Sequence, residues 1–270
     1  MSGRVNATFA VTKVRLDEHG EVIQVDIRVG GQTLTTTMRT PGHDVELAHG
    51  FLHSEGHIEK ASDVTEARYC AGASVDGRNP YNLLDVELAN PHAISLADLR
   101  LTTTTSACGV CGTSSIEALM MQSRYSIPQV PVDPGIVAKL PGALKAEQKQ
   151  FRKTGGIHAA GAFTLEGEPV VVREDVGRHN AADKVIGHLL MEGMLPASDL
   201  ILVMSSRASF ELVNKAAMAG FGMLVAVSAA SSLAVETARE TGMALVGFAR
   251  GDRFNLYSGE LSRGTPPGQS

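Results

Sequence analysis

The sequence predicts an α/β protein in which a smaller, mainly antiparallel β-rich subdomain precedes a larger α/β domain. Near the N-terminus, apolar and polar residues alternate on either side of a Gly-Gly pair, the pattern of a half-buried hairpin. From about Ile157 onward, short apolar runs alternate with helical segments, the rhythm of parallel strands joined by crossovers. A length of 270 residues exceeds a typical single core, so two domains are expected, 1–107 and 108–270.

Each element has its own signal. Ile23, Val25, Ile27 and Val29 share one face opposite Gln24, Asp26 and Arg28, which makes residues 21–29 a strand. Gly30-Gly31 suits a two-residue turn with positive φ, and residues 32–38 return as its partner. Thr40-Pro41-Gly42 breaks the sheet, and Asp44 is placed to cap a short helix with Leu47, Phe51 and Leu52 on one face. A further strand is expected over residues 81–88. In the second domain, residues 158–165 and 169–173 flank a Glu166-Gly167-Glu168 turn, and an amphipathic stretch follows over 180–192. Buried strands are expected at 200–204, 223–227 and 244–248, with helices at 208–219 and 232–241 between them. The Gly- and Pro-rich tail, 262–270, is expected to be mobile.

Composition narrows the function classes. At 43% hydrophobic and 20% charged, the chain can bury a large core. Its net charge of −5 gives no overall attraction to nucleic acid or an anionic membrane, so any anion site must be local. No basic segment leads into an apolar one at the N-terminus, and no apolar run is long enough to span a bilayer. A cytoplasmic protein with no membrane or nucleic-acid partner is therefore expected. The three cysteines, Cys70, Cys108 and Cys111, are an odd number and argue against a disulfide framework.

Cys108-Gly109-Val110-Cys111-Gly112 stands just before a helical segment whose Ser114 and Glu117 have capping-box spacing. A thiolate ahead of a helix N-terminus is stabilised by the unpaired amide donors there, and the thiolate is the nucleophile. The flanking glycines let such a loop face two partners in turn. Several chemistries share this pattern. A zinc site would need Cys70 and a histidine to complete it. A zinc-dependent nucleobase or nucleoside deaminase is imitated by His53-Ser54-Glu55 upstream of the cysteine pair, although no proline precedes Cys108 and the gap is long. A thioredoxin-like dithiol, two incidental cysteines and a sulfur carrier complete the set. Cys70 is read as an inert buried thiol.

The ends of the apolar runs share a second chemistry. Arg173, Ser205-Ser206-Arg207, Ser228 and Arg250 stand at successive strand exits, where α/β sheets gather ligands. Guanidinium forks and hydroxyls hold phosphate oxygens, so a nucleotide-like ligand is expected there. Glu174-Asp175-Val176-Gly177-Arg178-His179-Asn180 packs titratable groups at a strand-to-helix turn, either as a site or as a capped helix start. His158, after Gly155-Gly156, is either a site residue or a satisfied strand histidine. His43, His49, His53, His57, His92 and His188 read as surface or helix-packing residues.

Taken together, Thr40-Pro41-Gly42-His43-Asp44, Gly50-Phe51-Leu52, the cysteine loop, Gly155-Gly156-Ile157-His158-Ala159-Ala160 and the 174–180 segment resemble the FdhD/NarQ family. Ser205-Ser206-Arg207, Phe210-Glu211 and Phe248-Ala249-Arg250-Gly251-Asp252-Arg253 continue the resemblance, which runs from about Val22 to Tyr257. The resemblance implies a sulfurtransferase accessory to formate dehydrogenase, which receives persulfide sulfur from a cysteine desulfurase. It passes that sulfur to the molybdenum bis(molybdopterin guanine dinucleotide) cofactor, carried as cargo with no permanent metal. Cys108 would carry the persulfide, with Cys111 as helper. Phe248, Ala249, Arg250, Gly251, Asp252 and Arg253 would bind the cofactor; Ser205 and Arg207 from the strand exits and His179 from the 174–180 segment are expected to join them on the residue reading above. The resemblance also implies a cytidine-deaminase-like three-layer α/β domain and a homodimer. A cofactor chaperone without catalysis is the other class it leaves open.

Overall fold

The computed structural model of the chain describes residues 24–69, 82–90, 93–94 and 125–262. Cys70, His92, Cys108, Cys111, Ser114 and the tail beyond 262 lie outside them. The chain divides into two compact units interleaved along the sequence. One draws on residues 1–110, 149–158 and 174–193, the other on 111–148, 159–173 and 194–270.

The first unit holds a sheet of four strands, β1 (Gln24–Val29), β2 (Gln32–Met38), β3 (Val64–Tyr69) and β4 (Leu83–Leu88), in the order β2-β1-β4-β3. Gly30 and Gly31, with φ of 56° and 80°, make the tight turn between β1 and β2, whose register runs from Gln24 opposite Met38 to Val29 opposite Gln32. β3 and β4 are also antiparallel, but β1 and β4 run parallel at the centre of the sheet, a mixed pairing the sequence did not reveal. Val25 and Ile27 are buried as the alternation requires. Asp26, from the polar side of that alternation, is buried too, and its carboxylate accepts the Thr36 hydroxyl at 2.6 Å.

Helix α1 (Asp44–Ser54) follows. Asp44 was expected as its cap, but the N-cap is His43, held at φ 59° with no side-chain capping bond. The Asp44 carboxylate is drawn elsewhere: its Oδ2 accepts Arg39 Nε at 2.9 Å and the Tyr69 hydroxyl at 2.6 Å. Burial and this bond push the Tyr69 phenol up to about 12.

In the second unit, Asp133 caps α2 (Pro134–Glu147) by accepting from Gly135 N–H at 2.7 Å. Val137, Leu140 and Leu144 line one face of α2 and enter a core with Phe163, Ile201, Val203, Val225 and Val246. The short α3 (Lys149–Thr154) leads to β5 (His158–Thr164) and β6 (Pro169–Asp175). Beyond α4 (Arg178–Met191) come β7 (Leu200–Met204), α5 (Phe210–Met218), β8 (Met223–Ala226), α6 (Ser232–Thr241), β9 (Ala244–Arg250) and β10 (Arg253–Ser258).

The sheet order is β10-β9-β8-β7-β5-β6. β7, β8 and β9 are parallel, whereas β5 meets β7 and β10 meets β9 antiparallel. Every residue of β7 and β8 is buried, as strands covered on both faces must be. With α2 against one face and the crossovers α5 and α6 available for the other, the α/β class expected from the sequence is realised. α4 departs from its expected amphipathic character: Asn180 through Leu190 are buried except His188. Its close packing against α1 explains why, since a Cβ on Gly50 would meet the Asp183 carbonyl oxygen and one on Gly187 the Glu46 carbonyl oxygen. No helix among the described residues is long and apolar enough to cross a membrane.

Candidate functional sites in the two units

In the second unit, the carboxyl ends of β7, β8 and β9 meet at one edge of the sheet because the strands are parallel. Their exits are laced together by backbone hydrogen bonds. Val227 N–H donates to Met204 C=O at 3.2 Å, Ala208 N–H to Ala229 C=O at 3.0 Å and Phe248 N–H to Ser228 C=O at 3.0 Å. Ser205 ties this edge to the start of β5, donating its N–H to Ala159 C=O at 3.0 Å and accepting Ala159 N–H on Oγ at 2.7 Å. Arg207 is exposed on the loop that follows. Ser231 caps α6 through a 3.2 Å bond from Ala234 N–H.

The segment from Phe248 to Arg253 forms the end of β9, a tight turn and the start of β10. Arg250 pairs with Arg253 and Gly247 with Asn255, so two residues of β9, Phe248 and Ala249, oppose Phe254 alone. This is a β-bulge, a device that re-aims side chains. Phe248 occupies it at φ 53°, a left-handed conformation that costs a bulky L-residue about 1–2 kcal/mol, and the residue is 45% exposed. Ala249 is buried, while Arg250, Gly251, Asp252 and Arg253 are exposed. An outward aromatic ring thus stands among exposed arginines, a surface suited to a base and its phosphates. Arg173 lies two residues short of the end of β6, which continues to Asp175, and its Nη1 donates to Val172 C=O at 3.0 Å.

The first unit holds the dense 174–180 segment, and its members divide the work. Glu174 accepts from Gln150 and Phe151 N–H at 2.7 Å each, capping α3. Asp175 is buried and faces Lys184 Nζ at 2.7 Å. Its Oδ2 also accepts Thr40 N–H at 3.1 Å, and its Oδ1 accepts Gly177 N–H at 2.8 Å and Asn180 Nδ2 at 3.2 Å. Burial pushes the Asp175 carboxyl upward against the opposing pull of Lys184 and these N–H donors. Thr40 completes the link, its hydroxyl accepting Val176 N–H at 3.0 Å and its carbonyl accepting Lys184 Nζ at 2.8 Å. Asn180 donates to Met38 C=O at 2.8 Å, and His179 is partly buried. Lys184 was missed from the sequence, where it reads as one more helical residue.

His158 opens β5 beside the end of β6. Burial and then the Arg178 guanidinium hold its imidazole below the usual range, with Asp175 pulling the other way. His53 is wholly buried, with Nδ1 3.3 Å from Ile58 C=O, so it packs inside the unit. His49 is buried with Nδ1 2.8 Å from Val45 C=O, and burial lowers its pKa. Glu46 lies between His43 and His188, 3.2 Å from each Nδ1. These histidines therefore serve surface or packing roles. Among the described residues, no group of His, Cys, Asp or Glu is arranged to hold a metal ion.

Comparison with known proteins converges on one kinship. The chain is similar to the sulfur carrier protein FdhD of Corynebacterium efficiens, 58% identical over 259 residues that cover 93% of this chain and 94% of the relative. The protein of the same name from Nocardia farcinica is 52% identical over 270 residues, covering 96% and 95%. That from the more distant Thermoplasma volcanium is 40% identical, covering 88% and 85%. Among solved structures, a protein from Desulfotalea psychrophila assigned as a formate dehydrogenase accessory protein shares the fold, with a TM-score of 0.67 at 21% identity, covering 88% of this chain and 87% of that one. The model of the FdhD/NarQ family matches residues 21–262. With nearly the whole chain matched, the protein belongs to the FdhD/NarQ family.

Proposed function

We propose that this protein is a sulfur carrier serving formate dehydrogenase. It would accept persulfide sulfur from a cysteine desulfurase on Cys108 and deliver it to the molybdenum bis(molybdopterin guanine dinucleotide) cofactor. The observation that carries this reading is the identity of 58% to a protein named as a sulfur carrier, spread over 93% of the chain. The outward Phe248 ring among Arg250, Gly251, Asp252 and Arg253 supports it, because a guanine base can stack on the ring while guanidinium groups meet its phosphates. Arg207 and Ser205, at the neighbouring exit, would border the same ligand.

The transfer follows from thiol chemistry. The Cys108 thiolate attacks the outer sulfur of the donor persulfide, the donor S–S bond breaks and a donor thiolate leaves, so Cys108 gains one sulfur. Cys111 thiolate then attacks the inner sulfur, forming a Cys108–Cys111 disulfide and expelling the outer atom as sulfide toward the cargo. A dithiol reductant reopens the disulfide for the next cycle. In this reading the protein is a cytoplasmic sulfurtransferase working as a homodimer.

Radiolabelled cysteine with a desulfurase tests the route. Label is expected on the protein and then on the cofactor, and neither step should survive in Cys108→Ser. Label reaching the cofactor equally well through a double Cys→Ser variant would leave only the chaperone role.

A further inference from the structure

The 174–180 segment leaves one cation unbalanced. Asp175 faces Lys184 at 2.7 Å, and its two oxygens already take Thr40 N–H, Gly177 N–H and Asn180 Nδ2. Glu174 is committed to the backbone of α3. The nearest carboxylates in sequence are thus satisfied by other donors, and neither pairs with Arg178. Among the described residues, its Nε is buried with no hydrogen-bond partner and the guanidinium forms no ion pair. A partly buried, uncompensated guanidinium is costly unless an anion completes it.

His158 faces the same group. β5 and β6 are neighbours joined by a tight turn, so the first residue of β5 lies beside the last of β6, three positions before Arg178. The imidazole is partly buried, feels the Arg178 charge, and has no hydrogen-bond partner on either nitrogen among the described residues. With the Asp175–Lys184 pair self-neutralised, the charge left to this corner is that of Arg178.

We propose that Arg178 and His158 together bind one phosphate-type oxyanion. The guanidinium supplies a charged fork of donors and the imidazole a donor from a second side chain, an arrangement matched to an acceptor with several oxygens. Free phosphate and a nucleotide-borne phosphate share this chemistry. The site is argued from the first unit alone and stands apart from the sulfur-carrier reading.

The test is an NMR titration of the full chain with inorganic phosphate, followed by guanosine diphosphate. Phosphate is expected to shift the Arg178 Nε–H resonance and to raise the His158 pKa, because a neighbouring anion favours imidazolium. Arg178→Gln should abolish both responses and weaken phosphate by about tenfold or more. Arg178→Lys should retain part of the affinity, and His158→Gln should lower it less than Arg178→Gln does. If the nucleotide alone shifts these resonances, the source is cargo; if both do, the site accepts either. Neither ligand moving either resonance in the wild type, or undiminished phosphate affinity in a folded Arg178→Gln, would overturn the proposal. Acetate binding there in place of phosphate would do the same. Loss of nucleotide binding in Arg250→Ala with the Arg178 response intact separates this site from the one under Proposed function. Sulfur loading of Cys108 is measured independently of both.

Discussion

A phenylalanine at φ 53° is the residue whose conformation needs a reason. Glycine would sit there without strain, so Phe248→Gly is expected to hold stability or raise it by about 1 kcal/mol in urea unfolding. The same change should weaken guanosine diphosphate about tenfold, the loss expected for one stacked base. Reduced stability with unaltered nucleotide affinity would make Phe248 a packing residue. Lys184 answers a different need. Without it the Asp175 carboxylate is buried with no countercharge, so Lys184→Met should lose about 3–5 kcal/mol at pH 7. The folded-state pKa of Asp175, already raised by burial, would climb further. A raised folded pKa gives stability that is full below the unfolded value of about 3.9 and lost as pH rises through the folded one. The deficit against wild type should therefore shrink on acidification toward pH 4, and a deficit constant with pH would show that Asp175 does not carry the charge. The sequence exposed the density of groups at 174–180 but not their division of labour. Thr40, which bonds Asp175 and Val176, stands 135 positions from the first and 136 from the second, and nothing local marks that partnership.

Among the elements, α1 and α4 depend on two glycines. A methyl on Gly50 would fall 1.8 Å from the Asp183 carbonyl oxygen, with the backbone of α4 unable to yield cheaply. Gly50→Ala is expected to cost about 3 kcal/mol or more by forcing the helices apart, read as a lower urea midpoint with a fall in α-helical circular dichroism. A neutral substitution would contradict the close crossing. The alternation around Gly30-Gly31 and the apolar runs of β7 and β8 made these strands legible, since their patterns are local. No helix is expected from the sequence where α2 lies; its Pro141 inside the helix weakens the pattern, although Asp133 before Pro134 is a helix-start signal. β3 and β10 were also missed. Val64–Tyr69 and Arg253–Ser258 have no fully buried residue and are charged or polar in part, as edge strands are, so they lack the burial pattern that betrays a central strand.

Over the whole molecule, an acidic chain of net charge −5 places exposed Arg207, Arg250 and Arg253 near the exits and turn of one sheet, so overall acidity is compatible with a locally positive surface. The interleaving of the two units could not be read from sequence rhythm, because α4 looks like the next crossover of the second sheet yet belongs with the first unit. Family membership was legible because ordered motifs run through most of the chain, and the match over residues 21–262 agrees. The central claim is that Cys108 carries sulfur. Intact-protein mass spectrometry after incubation with a cysteine desulfurase and cysteine tests it most directly. The wild type should gain the mass of one sulfur atom, removable by a thiol reductant, and Cys108→Ser should gain none; retention of that added sulfur in Cys108→Ser would contradict the assignment.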